Sequence, residues 1–319
     1  MSNATDRHHA GQATGVVPPG PSRIDLHTHT CRSDGILEPA ELVRQAAAAG
    51  VRLLAITDHD TLAGVRELRG DAAAVPPGIE ILPGIEINSV VRGRPELAES
   101  EVHVLGLGVD PDDDELEAAL SQQRGARRVR FEKMVSKLRD LGFDIDAGLE
   151  RQPETDDDDA LGRPRLARAL IALGAATTVE DAFNQWLSHG RPAYVPREGL
   201  GPVAAIRAIR RAGGVASLAH FSEALRLRSI VAELHEAGLA GIEVYYRAFD
   251  QATVDVVGLV AADLGLIATG GSDYHGDRET YAEAHAGLWV PPSVEPPLRA
   301  AIEASRLAAA GSAASVAGS

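Results

Sequence analysis

Histidines and carboxylates lie close to the ends of several short apolar segments, and their spacing suits metal binding. His27 and His29 alternate along one predicted strand, so their side chains share one face of it. Asp273 and His275 repeat this spacing late in the chain. Neutral imidazole and carboxylate groups are ligands for zinc, manganese and iron. The candidate metal ligands are His27, His29, Asp34, His59, Glu86, His103, His220, Asp273 and His275.

The number of candidate ligands favours more than one metal ion. One tetrahedral ion needs about four ligands, whereas two or three divalent ions bridged by a carboxylate would use the whole set. Such clusters lower the pKa of a bridging water and hold the entering and leaving oxygens of a phosphoryl transfer. A single histidine at a strand end is most often structural, but the motifs HxH, TDH and GSDxH in one chain make coincidence improbable. The single cysteine, Cys31, excludes a cysteine-based zinc site.

Two aspartates flank His59, and each has two interpretations. Asp58 and Asp60 either orient a metal-binding histidine through hydrogen bonds or cap the loop that carries His59. The nucleophile expected at such a site is a metal-bound hydroxide, so no side chain is required as nucleophile. Asp60 is the one candidate for a direct catalytic role.

Apolar segments alternate with helical patterns, which predicts an α/β fold with parallel strands joined by helices. The repetition fits a barrel or an open sheet. Ligands bind at the carboxyl ends of strands in such folds, so we expect the candidate residues to form one cluster. The predicted strands cover residues 24–29, 53–57, 79–87, 102–107, 215–219, 241–245 and 266–269. Helices between them are predicted at 39–49, 202–212, 223–237 and 251–264.

The middle of the chain predicts a helical insertion over residues 110–196. Helical patterns cover 115–141, with a break near Gly125, and then 165–173 and 179–187, whereas the one strand candidate is 194–195. The α/β domain would then consist of residues 23–109 and 197–305, with disordered tails at 1–22 and 306–319. The segment 124–139 has seven basic residues against one glutamate, and we interpret it as a solvated face rather than an RNA contact.

Composition excludes several classes of protein. The chain has 319 residues with 46 acidic and 31 basic side chains, a formal net charge of −15. Binding across duplex DNA is therefore not expected, because that mode depends on neutralising phosphates. No apolar run approaches the roughly 18–20 residues of a membrane span, and no signal peptide is evident. We expect a cytoplasmic protein with no membrane partner.

The motifs together resemble those of the PHP (polymerase and histidinol phosphatase) family. The resemblance covers roughly residues 23–290 and is carried by the segments DLHTHT with SDG, TDHD, GIE, HVLG, GGV through AH, and GSDYHG. Within the family the chain is most similar to stand-alone bacterial phosphoesterases that act on nucleoside 3′,5′-bisphosphates, or on short RNA from its 5′ end in the manner of RNase AM.

The resemblance implies a distorted (β/α)7 barrel, formed by residues 23–109 and 197–305, with up to three metal ions. It places His27, His29, Glu86 and Asp273 around one ion. Glu86 would bridge to a second ion held by His103 and His220, and Asp34, His59 and His275 would hold the third. Phe221 stands where the branch usually has proline, and Arg165 stands where it usually has histidine.

The resemblance also implies that the insertion covers the metal site and contacts a nucleotide. Arg163 and Arg165 begin a predicted helix, where backbone N–H groups and the helix dipole favour an anion. Arg197 lies where the chain returns to the α/β domain. Arginine binds phosphate through two parallel hydrogen bonds. These three are the candidate substrate-binding residues, for a phosphorylated nucleotide or a short single-stranded RNA.

Three other functions remain alternatives. The first is a phosphatase for histidinol phosphate or another small molecule. The second is an amidohydrolase-type barrel that cleaves C–N bonds, disfavoured because the only lysines, Lys133 and Lys137, lie in the insertion, so that Glu86 must supply any bridge. The third is a PHP module that serves as a non-catalytic scaffold. The sequence leaves open the metal (Mn, Fe or Zn), the leaving group, the RNA length and the oligomeric state.

Overall fold

A seven-stranded sheet forms the centre of the protein, whose computed structural model describes residues 22–94, 97, 101–151, 161–276 and 279–317, with side chains to residue 311. The strands follow one another in the sheet in chain order. They are β1 (Ile24–Asp25), β2 (Leu53–Ile56), β3 (Glu80–Val90), β4 (Glu101–Leu107), β5 (Val215–Leu218), β6 (Gly241–Tyr246) and β7 (Ile267–Gly271).

Helices cover the sheet and fill the middle of the chain. Those packed around the sheet are α1 (Pro39–Ala48), α2 (Ala63–Gly70), α7 (Pro202–Arg211), α8 (Arg228–Glu236), α9 (Gln251–Leu264), α10 (Tyr281–Ala286) and α11 (Glu295–Ala317). Those between β4 and β5 are α3 (Asp114–Asp140), α4 (Ile145–Glu150), α5 (Arg163–Ala172) and α6 (Val179–Ala182), which continues as a π-helix, Phe183–Leu187. The predicted α/β class is therefore confirmed.

The sheet closes into a barrel because the chain on either side of the seam between β1 and β7 is joined by backbone hydrogen bonds. Leu26 N–H donates to Gly270 O over 3.1 Å, and Asp273 N–H donates to His27 O over 2.8 Å. Gly271 permits this approach, since a Cβ there would lie 2.4 Å from the Cβ of His27. The expected distorted seven-stranded barrel is thus the fold of the protein.

One strand departs from the predicted parallel order. β4 runs antiparallel to both β3 and β5, whereas the other neighbouring pairs are parallel. The reason is the connection before it: residues 91–100 are too few for the crossover that parallel neighbours need, so the chain turns back along its neighbour. His103 consequently lies near the beginning of its strand, yet at the same end of the barrel as the residues that follow the other strands.

The helices between β4 and β5 have an apolar core of their own. It includes Phe131, Met134, Leu138, Ile145 and Leu166. α3 is continuous through Gly125, so the predicted break is wrong. The short strand predicted at 194–195 does not form, because the carbonyls of Tyr194 and Val195 accept hydrogen bonds from side chains of α3. The exact limits of the insertion, 110 and 196, remain a prediction.

The predicted tails need correction where the structure describes them. α11 continues to Ala317 instead of giving way to a tail at 306. The alanine-rich composition of this segment favours helix, and Arg306 Nη2 donates to Gly108 O over 3.3 Å. Ser22, placed in the N-terminal tail, is buried and its carbonyl lies 2.8 Å from His285 Nε2. Residues 1–21 and the acidic run at 156–159 lie outside the described residues. Among the helices of the described chain, none combines the length and apolar character needed to cross a membrane.

Candidate metal centre

The predicted ligands converge at one end of the barrel although they come from six different strands or the loops after them. Three groups have ligand atoms that all lie within 4.8 Å of one another. The groups are His27, His29, Glu86 and Asp273; then His29, Asp34, His59 and His275; and then His59, Glu86 and His103. The first group is the set expected for one ion, and the second contains the set expected for another, with His29 added.

Glu86, on β3, is the centre of the cluster. It is fully buried, and its Oε2 lies 3.1 Å from His27 Nε2 and 3.2 Å from His29 Nε2. Its Oε1 lies 2.8 Å from His103 Nδ1 and 3.2 Å from His220 Nε2. His220 belongs to none of the three groups found among the described residues, but this contact places it beside them. Glu86 is therefore positioned as the carboxylate that could bridge two ions.

The protonation equilibria of the cluster are strongly coupled. Burial would raise the pKa of Glu86, but the histidines around it hold that pKa well below its usual range. Burial likewise opposes protonation of His29, yet Asp273 and Glu86 raise its pKa to about 10. Burial lowers the pKa of His59 well below the ordinary value. Carboxylates that hold protons on neighbouring imidazoles bind cations in their place, so cation binding would release protons.

Two buried imidazole nitrogens indicate that the cluster suits a cation. Nδ1 of His29 and Nδ1 of His59 make no hydrogen bond within the described part of the chain, although Glu86 Oε2 lies 3.1 Å from the latter. Buried polar atoms in native proteins normally have a partner. A divalent ion bound by the imidazole and carboxylate groups of the cluster would give both nitrogens a partner. The residues present thus fit the metal ions that the sequence predicts.

Three residues of the site have left-handed backbone conformations that glycine usually adopts. Asp60 has φ of 53°, His220 of 33° and Asp273 of 51°. In the described chain these are the non-glycine residues with positive φ. Such conformations cost of order 1–3 kcal/mol each and persist where surrounding contacts hold them. All three lie in the loops that carry candidate metal ligands, where a strained backbone serves to aim a side chain.

The two aspartates around His59 have structural roles. Asp58 accepts hydrogen bonds from the backbone and hydroxyl of Thr30 and from Ser33, at 2.7–2.8 Å, and so caps the loop after β1. Asp60 is buried and forms an ion pair with Arg127 of α3. A carboxylate paired in this way is not a free base, so the structure gives no support to a catalytic role for Asp60.

Two of the three candidate arginines meet at one carboxylate. Arg197 Nε lies 3.0 Å from Glu101 Oε2, and Arg163 Nη2 lies 3.8 Å from Glu101 Oε1. Arg163 also lies over the ring of Phe183, with its Cζ 5.1 Å from the ring centroid. Arg165 is half-buried in the first turn of α5. The structure thus brings Arg163 and Arg197 together, and their role toward a substrate remains a prediction.

Sequence reasoning missed several residues that support the site. Glu243 lies 3.1 Å from His27 Nδ1, and Tyr246 donates to Asp273 Oδ2 over 3.0 Å. Burial and the guanidinium groups of Arg197 and Arg163 lower the pKa of Arg130 to about 10. The available signal for Glu243 was a charged residue inside the apolar segment GIEVYY. For Arg130 it was the basic segment that we interpreted as a solvated face.

Comparisons with known proteins identify the family of the chain. A model of the PHP domain matches residues 25–178. The 3′,5′-nucleoside bisphosphate phosphatase of Chromobacterium violaceum is 35% identical over 266 residues, which cover 81% of this chain and 89% of that protein. The chain belongs to the PHP family. The 5′–3′ exoribonuclease Rnm of Escherichia coli is 31% identical over 275 residues, covering 85% of this chain and 91% of the relative.

A solved structure is also similar to most of the chain. A structure from Chromobacterium violaceum, described as an amidohydrolase with bound sulfate and no metal, superposes with a TM-score of 0.74 and 31% identity. The superposition covers 89% of this chain and 97% of the neighbour. Together with its PHP relatives, the metal-binding geometry makes the chain a metal-dependent hydrolase of phosphoester bonds.

Proposed function

We propose that the protein hydrolyses a phosphate ester of a small nucleotide, with a nucleoside 3′,5′-bisphosphate as its first substrate. The observation that carries the proposal is the convergence of candidate ligands around the buried carboxylate of Glu86, next to a cluster of arginines. The Chromobacterium violaceum relative acts on such bisphosphates, as its name states. The products would be a nucleoside monophosphate and inorganic phosphate.

We further propose that two or three divalent ions, Mn, Fe or Zn, occupy the cluster. The chemistry that bound divalent ions supply is the activation of water and the neutralisation of charge on phosphoryl oxygens. His27, His29, Glu86 and Asp273 would hold one ion. Glu86 would also reach the ion held by His103 and His220, and the remaining ion would lie at Asp34, His59 and His275.

The arginine cluster supports a phosphate-binding site beside the metal centre. Glu101 and His103 are two residues apart on β4, so their side chains share a face of the strand. Arg163 and Arg197 contact Glu101, and Arg130 is close enough for both to lower its pKa. A phosphate dianion bound here would offset the repulsion between the positively charged guanidinium groups and would accept paired hydrogen bonds from them.

A short substrate is favoured over a long RNA because the basic side chains of α3 serve the fold. Arg127 pairs with Asp60, and Arg139 pairs with Asp146. Arg130 Nε and Lys137 Nζ each donate over 2.8 Å to backbone carbonyls of residues 194–195. These basic side chains already bind groups of the protein itself. The described residues of α3 therefore offer no continuous basic surface for an RNA backbone. Release of mononucleotides from 5′-phosphorylated short RNA is the second candidate, favoured by the exoribonuclease relative.

The structure weakens one alternative on a specific ground. A C–N-hydrolysing barrel with a carbamylated lysine needs a lysine at the metal centre, yet Lys137 reaches the carbonyl of Tyr194 and Lys133 lies on the same helix of the insertion. Glu86 would supply the bridge instead. The cytoplasmic location and the exclusion of duplex DNA remain predictions, and the metal stays open among Mn, Fe and Zn.

A substrate screen with Mn(II) tests the proposed function. It compares nucleoside 3′,5′-bisphosphates, nucleoside monophosphates, histidinol phosphate and 5′-phosphorylated oligoribonucleotides, with phosphate or mononucleotide release as the readout. We expect the highest kcat/KM with a 3′,5′-bisphosphate. Preferred hydrolysis of histidinol phosphate would support the small-molecule alternative. Bound metal with no hydrolysis of any of these would exclude the proposed substrate class.

A further inference from the structure

Glu243, in the middle of β6, joins two candidate ligands that lie far apart in the chain. It is fully buried. Its Oε1 lies 3.1 Å from Nδ1 of His27, and its Oε2 accepts a hydrogen bond from the backbone N–H of His220 over 2.7 Å. The rings of the two histidines stack at 5.8 Å between centroids with an interplanar angle of 18°. One carboxylate thus holds both residues in place with both of its oxygens.

The contact to His27 defines which nitrogen is available to a metal. A carboxylate accepts hydrogen bonds, so His27 facing Glu243 carries a proton on Nδ1. Its Nε2 points the other way, 3.1 Å from Glu86 Oε2 and 3.3 Å from Asp273 Oδ1. With the proton on Nδ1, Nε2 is the nitrogen that can donate its lone pair to an ion. Carboxylates that orient metal-binding imidazoles act in this way in other metal sites.

The contact to His220 holds a strained backbone. His220 has a left-handed conformation with φ of 33°, which a histidine adopts only when its surroundings compensate the cost. The hydrogen bond from its N–H to Glu243 supplies part of that compensation. The same conformation directs the ring so that Nε2 lies 3.2 Å from Glu86 Oε1.

We propose that Glu243 is a positioning residue which sets the donor nitrogen of His27 and the backbone of His220, and thereby links two of the metal positions. Its hydrogen bonds are to His27 and His220, so it would act on the metal centre through these two residues. This role rests on the metal centre described above and not on the identity of the nucleotide. It requires two acceptor oxygens in one side chain, a property that a carboxylate has and a carboxamide lacks.

The substitution Glu243→Gln tests the proposal with almost no change in volume. A carboxamide has one acceptor and one donor. If its oxygen accepts from His220, its NH2 group faces His27 and moves the ring proton to Nε2, which removes that ligand. In the opposite orientation its NH2 group faces the N–H of His220. We therefore expect the variant to lose one bound ion per chain at limiting Mn(II), with that ion bound roughly 10–100-fold more weakly.

The readouts are metal content by elemental analysis, Mn(II) affinity by titration calorimetry, and the melting temperature of the metal-free protein. Glu236→Gln, on the exposed surface of α8, is the matched control and should bind metal like the parent protein. A merely structural role would lower the metal-free melting temperature and leave the metal content unchanged. That result, in a folded Glu243→Gln variant, would overturn the proposal.

A second variant covers the case in which Glu243→Gln does not fold. Glu243→Asp keeps the charge but is one methylene shorter, so it cannot keep both contacts, and the same loss of one ion is expected. Full metal content in this variant would also overturn the proposal. Because these measurements use Mn(II) alone, they distinguish a failure of this inference from a wrong choice of substrate.

Discussion

At the residue scale, the decisive feature is that one buried carboxylate contacts imidazoles from four other parts of the chain. The convergence of the candidate ligands could be predicted because most of them lie near strand ends, which the barrel brings together. The supporting residues could not be predicted in the same way. Glu243 and its partner His27 are 216 positions apart, and no local spacing relates them. Only the closed barrel makes them neighbours.

Removal of single ligands should abolish activity without unfolding the protein. Asp273→Ala and His59→Ala each take a donor atom from the cluster but leave the apolar core intact, so phosphate release with Mn(II) should fall below detection. Circular dichroism melting curves should remain cooperative. His235→Ala, at an exposed histidine of α8, is the control and should keep full activity. Unchanged turnover in either ligand variant would show that the assignment of the metal centre is wrong.

The arginine cluster should act mainly on substrate binding. Arg163→Ala removes one charged hydrogen-bond donor, worth about 1.5–3 kcal/mol, so kcat/KM should fall roughly 10–100-fold. Most of this loss should come from KM. Arg139→Ala, at an exposed ion pair of the same insertion, should change neither constant. A loss confined to kcat at saturating substrate would contradict a binding role for Arg163.

At the element scale, α3 is attached to the barrel beside the metal centre. Gln123 Nε2 donates to Asn88 O on β3, and Gln123 Oε1 accepts from the N–H of Leu200 over 2.8 Å. Arg124 donates to the carbonyl of Asp60 over 2.9 Å, and Arg127 pairs with the Asp60 side chain. The insertion is therefore connected to the loop that carries His59.

The ion pair between Arg127 and Asp60 should contribute strongly to stability. The Asp60 side chain is fully buried, so Arg127→Ala would leave a buried charge without its cation. Breaking a buried pair from one side costs about 3–5 kcal/mol, measurable as a lower free energy of unfolding in urea.

The exposed pair of Arg139 and Asp146 is the internal comparison for this experiment. Its side chains are 54% and 52% exposed, so Arg139→Ala should cost about 0–1 kcal/mol. Equal effects of the two substitutions would mean that the burial of Asp60 does not determine the energetics of this contact.

The elements differ in how far local patterns predicted them. The helix predicted over 251–264 is observed as α9 with the same limits, since its periodicity, its capping Asp250 and Gly265 all agree. The direction of β4 and the absence of a strand at 194–195 depend instead on partners elsewhere in the chain. The helical extension of α11 was missed because a run of alanine, glycine and serine was interpreted as disordered, although its alanines favour helix.

At the scale of the whole molecule, metal binding and the stability of the barrel should be linked. An ion that binds only the folded protein stabilises it by about 2.7 kcal/mol at a concentration of 100 times its Kd. Addition of Mn(II) to chelator-treated protein should therefore raise the melting temperature by roughly 5 °C.

The Asp273→Ala variant is the matched control for the metal effect, and its shift should be clearly smaller. Differential scanning fluorimetry at several Mn(II) concentrations provides the measurement. An identical shift in the parent protein and the variant would mean that the stabilising ion binds outside the cluster.

The seam between β1 and β7 has a consequence for biosynthesis. His27 and His29 leave the ribosome about 245 residues before Asp273 and His275. The group of His27, His29, Glu86 and Asp273 therefore stays incomplete until β7 has emerged and paired with β1. A nascent chain therefore cannot complete this part of the site, and activity cannot begin, until translation has supplied both sides of the seam.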